Sequence, residues 1–184
     1  MRLQAFLPLS RANGPGTRAV IWAQGCSLGC PGCFNPQFHA FSGGEQLTVE
    51  QLFQRVVRLG PAIEGLTLSG GEPFQQREAM AELLTRIRDE TNLSVLVFTG
   101  YTWEEVSALP QVGSLLAGVD VLIAGRYVAA ERVARDLRGS ANKTIHLLTP
   151  RYSLADLEAS PEAEVFVGPN GEVSASGIGP LRLG

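Results

Sequence analysis

At 184 residues, 45% hydrophobic and 18% charged, the chain has the size and composition of one folded domain. Fifteen basic against 18 acidic residues, a net charge of −3, argue against a general polyanion binder, so no nucleic-acid partner is expected. No run of 18 apolar residues suits a membrane span, and Met1 to Ser10 is too short an apolar stretch for a signal peptide, so a cytoplasmic protein is expected.

Strand and helix patterns then alternate. Ala19 to Ala23 is a short apolar run that reads as a buried strand. Thr48 opens a helix with Gln51 as its capping-box partner; Val49, Leu52, Phe53, Val56 and Val57 follow at helical spacing, and Gly60 with Pro61 stops it. Leu66 to Ser69 is the next strand, and Gln76 to Arg88 a helix with Met80, Leu83, Leu84 and Ile87 on one face. Val95 to Phe98 reads as a strand, followed by a short helix from Thr102 with Glu105 as box partner. Val119 to Ile123 is another strand, Val128 to Leu137 a helical stretch, and Thr144 to Leu148 the last strand of the series. Ser153 to Ala159 reads as one or two helical turns. Ala163 to Val167 and Glu172 to Ser176, joined through Pro169, Asn170 and Gly171, read as a hairpin. Phe6 and Trp22 are expected in the core.

Alternation of this kind implies right-handed crossovers and a mostly parallel sheet. Each glycine-rich or polar motif follows a strand: GCSLGCPGC the first, SGGEP the second, TGY the third, AGRY the fourth. Parallel strands end on one edge, so the four loops are expected to converge.

All three cysteines fall within eight positions, as C-x3-C-x2-C at Cys26, Cys30 and Cys33. An odd count without an export signal excludes a disulfide scaffold. Three thiolates suit a 4Fe-4S cluster with one iron left open to a chelating ligand. A zinc site completed by His39, six residues beyond Cys33, also fits the spacing, and a redox C-x-x-C leaves Cys26 unexplained.

This spacing resembles the signature of radical S-adenosylmethionine enzymes. The segment NGPGTR, from Asn13 to Arg18, resembles the (D/N)GPG-x-R segment of glycyl-radical activating enzymes. Together with LSGGEP, TGY, LIAGRY and LRGSANK, it makes the chain from Leu3 to Leu148 similar to the branch that activates anaerobic ribonucleoside-triphosphate reductase. Gly32 before the third cysteine and Phe34 after it match that branch.

The resemblance implies an α/β fold: an incomplete, open radical-SAM (β/α) barrel with mostly parallel strands, over residues 1–149. Residues 150–184 would form an extension with the hairpin. It further implies two cofactors, a 4Fe-4S cluster on Cys26, Cys30 and Cys33 and S-adenosyl-L-methionine on its open iron. Gly70, Gly71, Glu72 and Pro73 resemble that family's GGE segment, which binds the methionyl ammonium, and Ser69 beside them is a further cofactor-binding candidate. Thr99, Gly100 and Tyr101 correspond to the segment near the ribose and carboxylate, and Phe34 and Asn35 would lie against the adenine. No catalytic side chain beyond the cluster and cofactor is implied. The partners implied are a large glycyl-radical enzyme and a low-potential electron donor of flavodoxin or ferredoxin type.

Other readings remain open at this point. The same radical core serves a peptide, a small metabolite or an RNA base as target, and a non-catalytic zinc- or cluster-binding module is a third possibility. Asp120 faces either the cavity or solvent. Arg18 anchors the cluster loop or guides the target chain, and Arg138 binds a carboxylate, contacts the partner's glycine loop or forms an exposed ion pair. Two features depart from the branch: Ala124 stands where it has an acidic residue, and the tail from Pro150 is longer.

Overall fold

A computed structural model describes residues 1–179. Seven strands form one open sheet: β1 (Arg2–Ser10), β2 (Arg18–Ala23), β3 (Glu45–Gln46), β4 (Gly65–Gly70), β5 (Ser94–Phe98), β6 (Val121–Ala124) and β9 (Thr144–Leu147). Their order is β3-β1-β2-β4-β5-β6-β9, and no closed barrel is formed. The central four, β2, β4, β5 and β6, run parallel; β1 and β9 run against them, and β3, antiparallel to β1, rejoins the common direction.

The crossovers are the expected ones. Helix α1 (Val49–Val57) carries the Thr48/Gln51 capping box and buries Val49, Leu52, Phe53 and Val56. Helix α2 (Arg77–Glu90) buries Met80, Leu83, Leu84 and Ile87, after a 3-10 turn at Pro73–Gln76. The predicted Thr102/Glu105 box caps α3 (Trp103–Ser107), and a second short helix, α4 (Val112–Leu116), follows.

Period-two alternation divides each strand between two faces. Ile21, Leu66, Leu68, Val95, Val97 and Leu122 pack into the core shared with α1 and α2. The opposite face carries Trp22, Thr67, Ser69, Leu96 and Phe98. There a smaller core joins Leu96, Val121, Ile123, Leu137 and Leu157, the last from α5 (Leu154–Glu158).

Three expectations change, and one strand is new. Arg2 to Ser10, for which no element was expected, is a nine-residue strand; Pro8, which has no N–H to donate, lies between Leu7 and Ser10, where the register shifts. The stretch Val128 to Leu137 is not a helix: after a 3-10 turn at Ala129–Glu131 it forms β7 (Arg132–Arg135), which pairs with β8 (Arg138–Ser140). The turn residues Asp136 and Leu137 both hold positive φ, 53° and 62°, as a tight hairpin requires, and burial of Leu137 in the smaller core holds it there. With no helical crossover before it, β9 returns antiparallel to β6. Finally, Trp22 lies on the open face, partly exposed, whereas Phe6 packs against the main core.

The tail forms α5, capped by Ser153, and a separate hairpin of β10 (Ala163–Val167) and β11 (Val173–Gly177). Residues 180–184 of the expected extension lie outside the described residues. No described helix is long and apolar enough to cross a membrane.

Candidate radical-chemistry site

The loops after β2, β4, β5 and β6 meet at one sheet edge. The turn after β4 is bonded to the cysteine loop: the Gly71 amide donates to Ala23 (2.8 Å) and the Glu72 amide to Gly25 (2.9 Å). This contact explains the double glycine. A Cβ on Gly71 would overlap the Gly25 carbonyl oxygen, and one on Gly70, whose φ is +104°, the backbone of Ala23. The loop after β5 is held in turn by Glu72, whose carboxylate accepts from Thr99 Oγ1 (2.8 Å), the Gly100 amide (2.7 Å) and the Phe74 amide (3.0 Å).

These loops enclose a cavity of about 590 Å³. Cys26, Cys30, Cys33, Phe34, Asn35, Ser69, Gly70, Gly71, Glu72, Thr99 and Gly100 all line it. Tyr101 is the exception. Its ring packs against the main core beneath Arg126, and its hydroxyl accepts from Gln75 Nε2 (3.2 Å).

The thiols are partly exposed, and the Asn35 amide donates to Cys33 Sγ (3.4 Å), the kind of bond that moderates charge on a ligating sulfur. Burial pushes the Cys26 thiol up. Among the described residues no three His, Cys, Asp or Glu side chains converge as the ligands of a single metal ion do. In a four-iron cube each thiolate holds a different iron, so its ligands stand apart. His39 also lines the cavity, and its carbonyl accepts from the Cys26 amide (3.0 Å).

Glu72 is fully buried, and burial raises its carboxyl to about 7 against the bonds from Gly100, Phe74 and Thr99. All three donors are neutral, and among the described residues no cation forms an ion pair with it. A carboxylate accepts about four hydrogen bonds, so one position remains unused on a residue that borders the cavity. A donor set of three thiols, with a buried carboxyl that no cation meets at ion-pair distance among the described residues, fits an iron–sulfur cluster and a ligand bearing an amino group.

Lys143 is the residue that sequence reasoning missed. It sits within LRGSANK, but only the fold brings its largely buried ammonium to the cavity, donating to the carbonyls of Gly125 and Thr99. Burial lowers its pKa and Glu72 opposes that. Phe34 faces the cavity with Tyr127 at 4.4 Å between ring centroids and Arg132 stacked at 5.0 Å. Ala175, Ser176, Gly177, Ile178 and Gly179, from the tail, complete the wall.

Three expected candidates lie elsewhere. Asp120 faces neither cavity nor solvent. It is buried just before β6, at the opposite edge, accepting from the Val95 amide (2.8 Å) and Thr149 Oγ1 (2.7 Å). Arg18 is fully buried at that same edge, anchoring neither the cluster loop nor a target chain. Arg138 pairs with Asp136 (2.8 Å) in the β7–β8 hairpin.

Comparison with known proteins follows this geometry. The family described as "4Fe-4S single cluster domain" matches residues 12–146. Proteins named anaerobic ribonucleoside-triphosphate reductase-activating protein are similar along most of their length. The one from Vibrio cholerae serotype O1 is 32% identical over 156 residues, covering 81% of this chain and 99% of its own. The one from Escherichia coli K12 is 31% identical, covering 80% and 99%. That of Enterobacteria phage T4 is 30% identical over 149 residues, covering 79% and 93%.

Proposed function

Since this chain belongs to the family of anaerobic ribonucleoside-triphosphate reductase-activating proteins, we propose that it is a radical S-adenosylmethionine enzyme that installs a glycyl radical in an anaerobic ribonucleotide reductase. The observation that carries the reading is the cavity in which three thiols, Glu72 and Thr99 meet at the ends of parallel strands. On this reading residues 1–149 are a shortened radical-SAM barrel working in the cytoplasm, and 150–184 an extension.

Cys26, Cys30 and Cys33 would hold a 4Fe-4S cluster, and the iron without a thiolate would take the cofactor's amino and carboxylate groups. When bound, cluster and S-adenosylmethionine supply a one-electron reductive cleavage to methionine and a 5′-deoxyadenosyl radical, which takes a hydrogen atom from a glycine Cα. Asn35 moderates charge at Cys33 through its amide. Glu72, ionised on giving up its own proton, would accept a hydrogen bond from the N–H of the methionyl amino group, a bond strengthened by its burial. The Ser69–Gly71 turn admits the methionyl part without steric bulk, and Thr99 and Gly100, held by Glu72, line the side toward the ribose. Phe34, with Asn35, offers an aromatic face to the adenine. Trp22 and Phe98 keep water from the reacting centre. The electron comes from a low-potential flavodoxin- or ferredoxin-type donor.

Anaerobic incubation of the reconstituted protein with the source organism's reductase, S-adenosylmethionine and dithionite tests this. The expected result is 5′-deoxyadenosine together with a glycyl-radical EPR doublet on the reductase. A colourless protein holding one zinc and forming no 5′-deoxyadenosine would sink the chemistry; 5′-deoxyadenosine without the doublet would sink the assignment of the reductase.

A further inference from the structure

We propose that the outer face of the β10–β11 hairpin is a docking surface that leads the glycine-bearing segment of the protein substrate into the cavity. The inference rests on the function proposed above and names how its substrate is received. Pairing of Ala163 with Gly177, Val165 with Ala175 and Val167 with Val173 puts these six residues on one face, because cross-strand partners point the same way. Glu164, Phe166, Ser174 and Ser176 take the other.

A two-stranded hairpin ordinarily turns its apolar face inward. Here the polar face is turned in. The Glu164 carboxylate accepts from Ser10 Oγ, the Arg11 amide (2.9 Å) and the Ala12 amide (3.4 Å), and Asn13 Nδ2 donates to Ser176 Oγ (2.6 Å). Four bonds from Ser10 to Asn13, leading into the NGPGTR segment, thus fix the hairpin's orientation. The apolar face is left to solvent, with Val165 45%, Val167 72% and Val173 63% exposed. A surface of aligned valines that the chain's own core does not cover calls for a partner.

Continuity identifies the occupant. The end of β11 lines the cavity that holds the three cysteines, through Ala175 and Gly177 of this face and Ser176 of the other, so the valine face runs on to the cavity's rim. A chain lying along the valines is therefore delivered to the reacting centre. Among the described residues the hairpin contains two strands, so each strand keeps an outer edge with no further strand beside it, where an extended segment could pair. The family match ends at residue 146, before the hairpin, so this surface is an addition to the shared domain.

The test uses the full chain. The double variant Val167→Ser/Val173→Ser is compared with wild type and with Leu154→Ser, a control on α5 whose residue is 53% exposed. The reductase concentration giving half-maximal glycyl radical is expected to rise about tenfold in the double variant and to stay unchanged in the control. The 5′-deoxyadenosine formed without reductase should match wild type in both. Val167→Thr/Val173→Thr, which preserves strand propensity, should move half-saturation in the same direction. Unchanged half-saturation in both pairs overturns the proposal. So does a wild type that sediments as a dimer and becomes a monomer in the double variant, because the face would then belong to a second copy. Wild type that makes 5′-deoxyadenosine but no glycyl radical overturns the functional reading beneath it, a result separate from either of these.

Discussion

Two charged side chains are completely buried at opposite edges of the sheet, and they teach different things. At the strand N-termini, Arg18 donates to Thr67 Oγ1 (2.7 Å), Ser94 Oγ (2.9 Å) and the carbonyls of Pro15 (3.1 Å), Leu66 (2.8 Å) and Ser94 (3.2 Å). Tyr152, from the tail, closes the set by meeting both Ser94 Oγ (2.7 Å) and Arg18 (3.4 Å). Burial pushes the Arg18 pKa down, yet all three of its nitrogens are bonded. At the strand C-termini, Glu72 is equally buried but bonded only by neutral donors, with acceptor capacity unused at the border of a cavity. Burial alone therefore does not mark function; unspent hydrogen-bonding capacity beside open space does.

The largest expected effect bears on the cavity side. Changing Cys26, Cys30 or Cys33 to Ala, one at a time, should remove cluster iron and abolish 5′-deoxyadenosine formation. The melting temperature of the metal-free protein should hardly move, because these thiols sit in a partly exposed loop. Iron analysis, product chromatography and a thermal melt read the two halves of that claim.

Arg18→Ala should do the reverse. Leaving Thr67, Ser94 and three carbonyls without their donor is expected to cost about 3–5 kcal/mol in denaturant unfolding, the range seen when a buried charge network loses a member. Glu72→Gln should cost little stability but weaken S-adenosylmethionine binding about tenfold or more. Equal loss of stability in both variants would erase the contrast between the two edges.

The pH dependence sharpens it. With the Glu72 carboxyl near 7, the folded protein favours its protonated form. Its stabilising contribution is present below the ordinary carboxylate pKa and is lost as pH rises through about 7. A ligand amino group donates its N–H to the ionised form, so binding expels the Glu72 proton. Cofactor affinity should then climb with pH and level off above about 7, with Lys143 as the nearby charged group opposing Glu72 protonation. Calorimetry in two buffers of different ionisation enthalpy would detect the released proton, and Glu72→Gln should lose it.

The smallest effect concerns the tie between tail and far edge. Tyr152→Phe removes one hydroxyl from the Arg18 network and should cost about 1 kcal/mol, leaving 5′-deoxyadenosine formation unchanged. A loss of activity larger than that of stability would mean that the two edges are coupled.

Much of the site was legible beforehand because its chemistry is local. Cys26, Cys30 and Cys33 lie within eight positions, and Ser69 to Glu72 and Thr99 to Gly100 each immediately follow a recognisable apolar run. Thr48/Gln51 and Thr102/Glu105 announced their helices through contacts three residues long. Val128 to Leu137 misled because its two positive-φ residues are neither glycine nor asparagine, and burial of Leu137 holds a turn that local preference opposes. Trp22 was misplaced because an apolar run does not say which of its two faces is covered.

The sequence by itself determined the cysteine spacing, the strand-then-loop rhythm that brings four motifs to one edge, and the caps that start the helices, since each depends on neighbours a few residues apart. Only the tertiary structure decided that β9 runs antiparallel, that Asp120 and Arg18 belong to the edge away from the cavity, that Lys143 reaches Glu72's surroundings, and that the tail hairpin walls the site with its valines outward. Those outcomes depend on pairings between residues far apart along the chain, Glu164 with Ser10 or Arg18 with Ser94, whose partners no local pattern names.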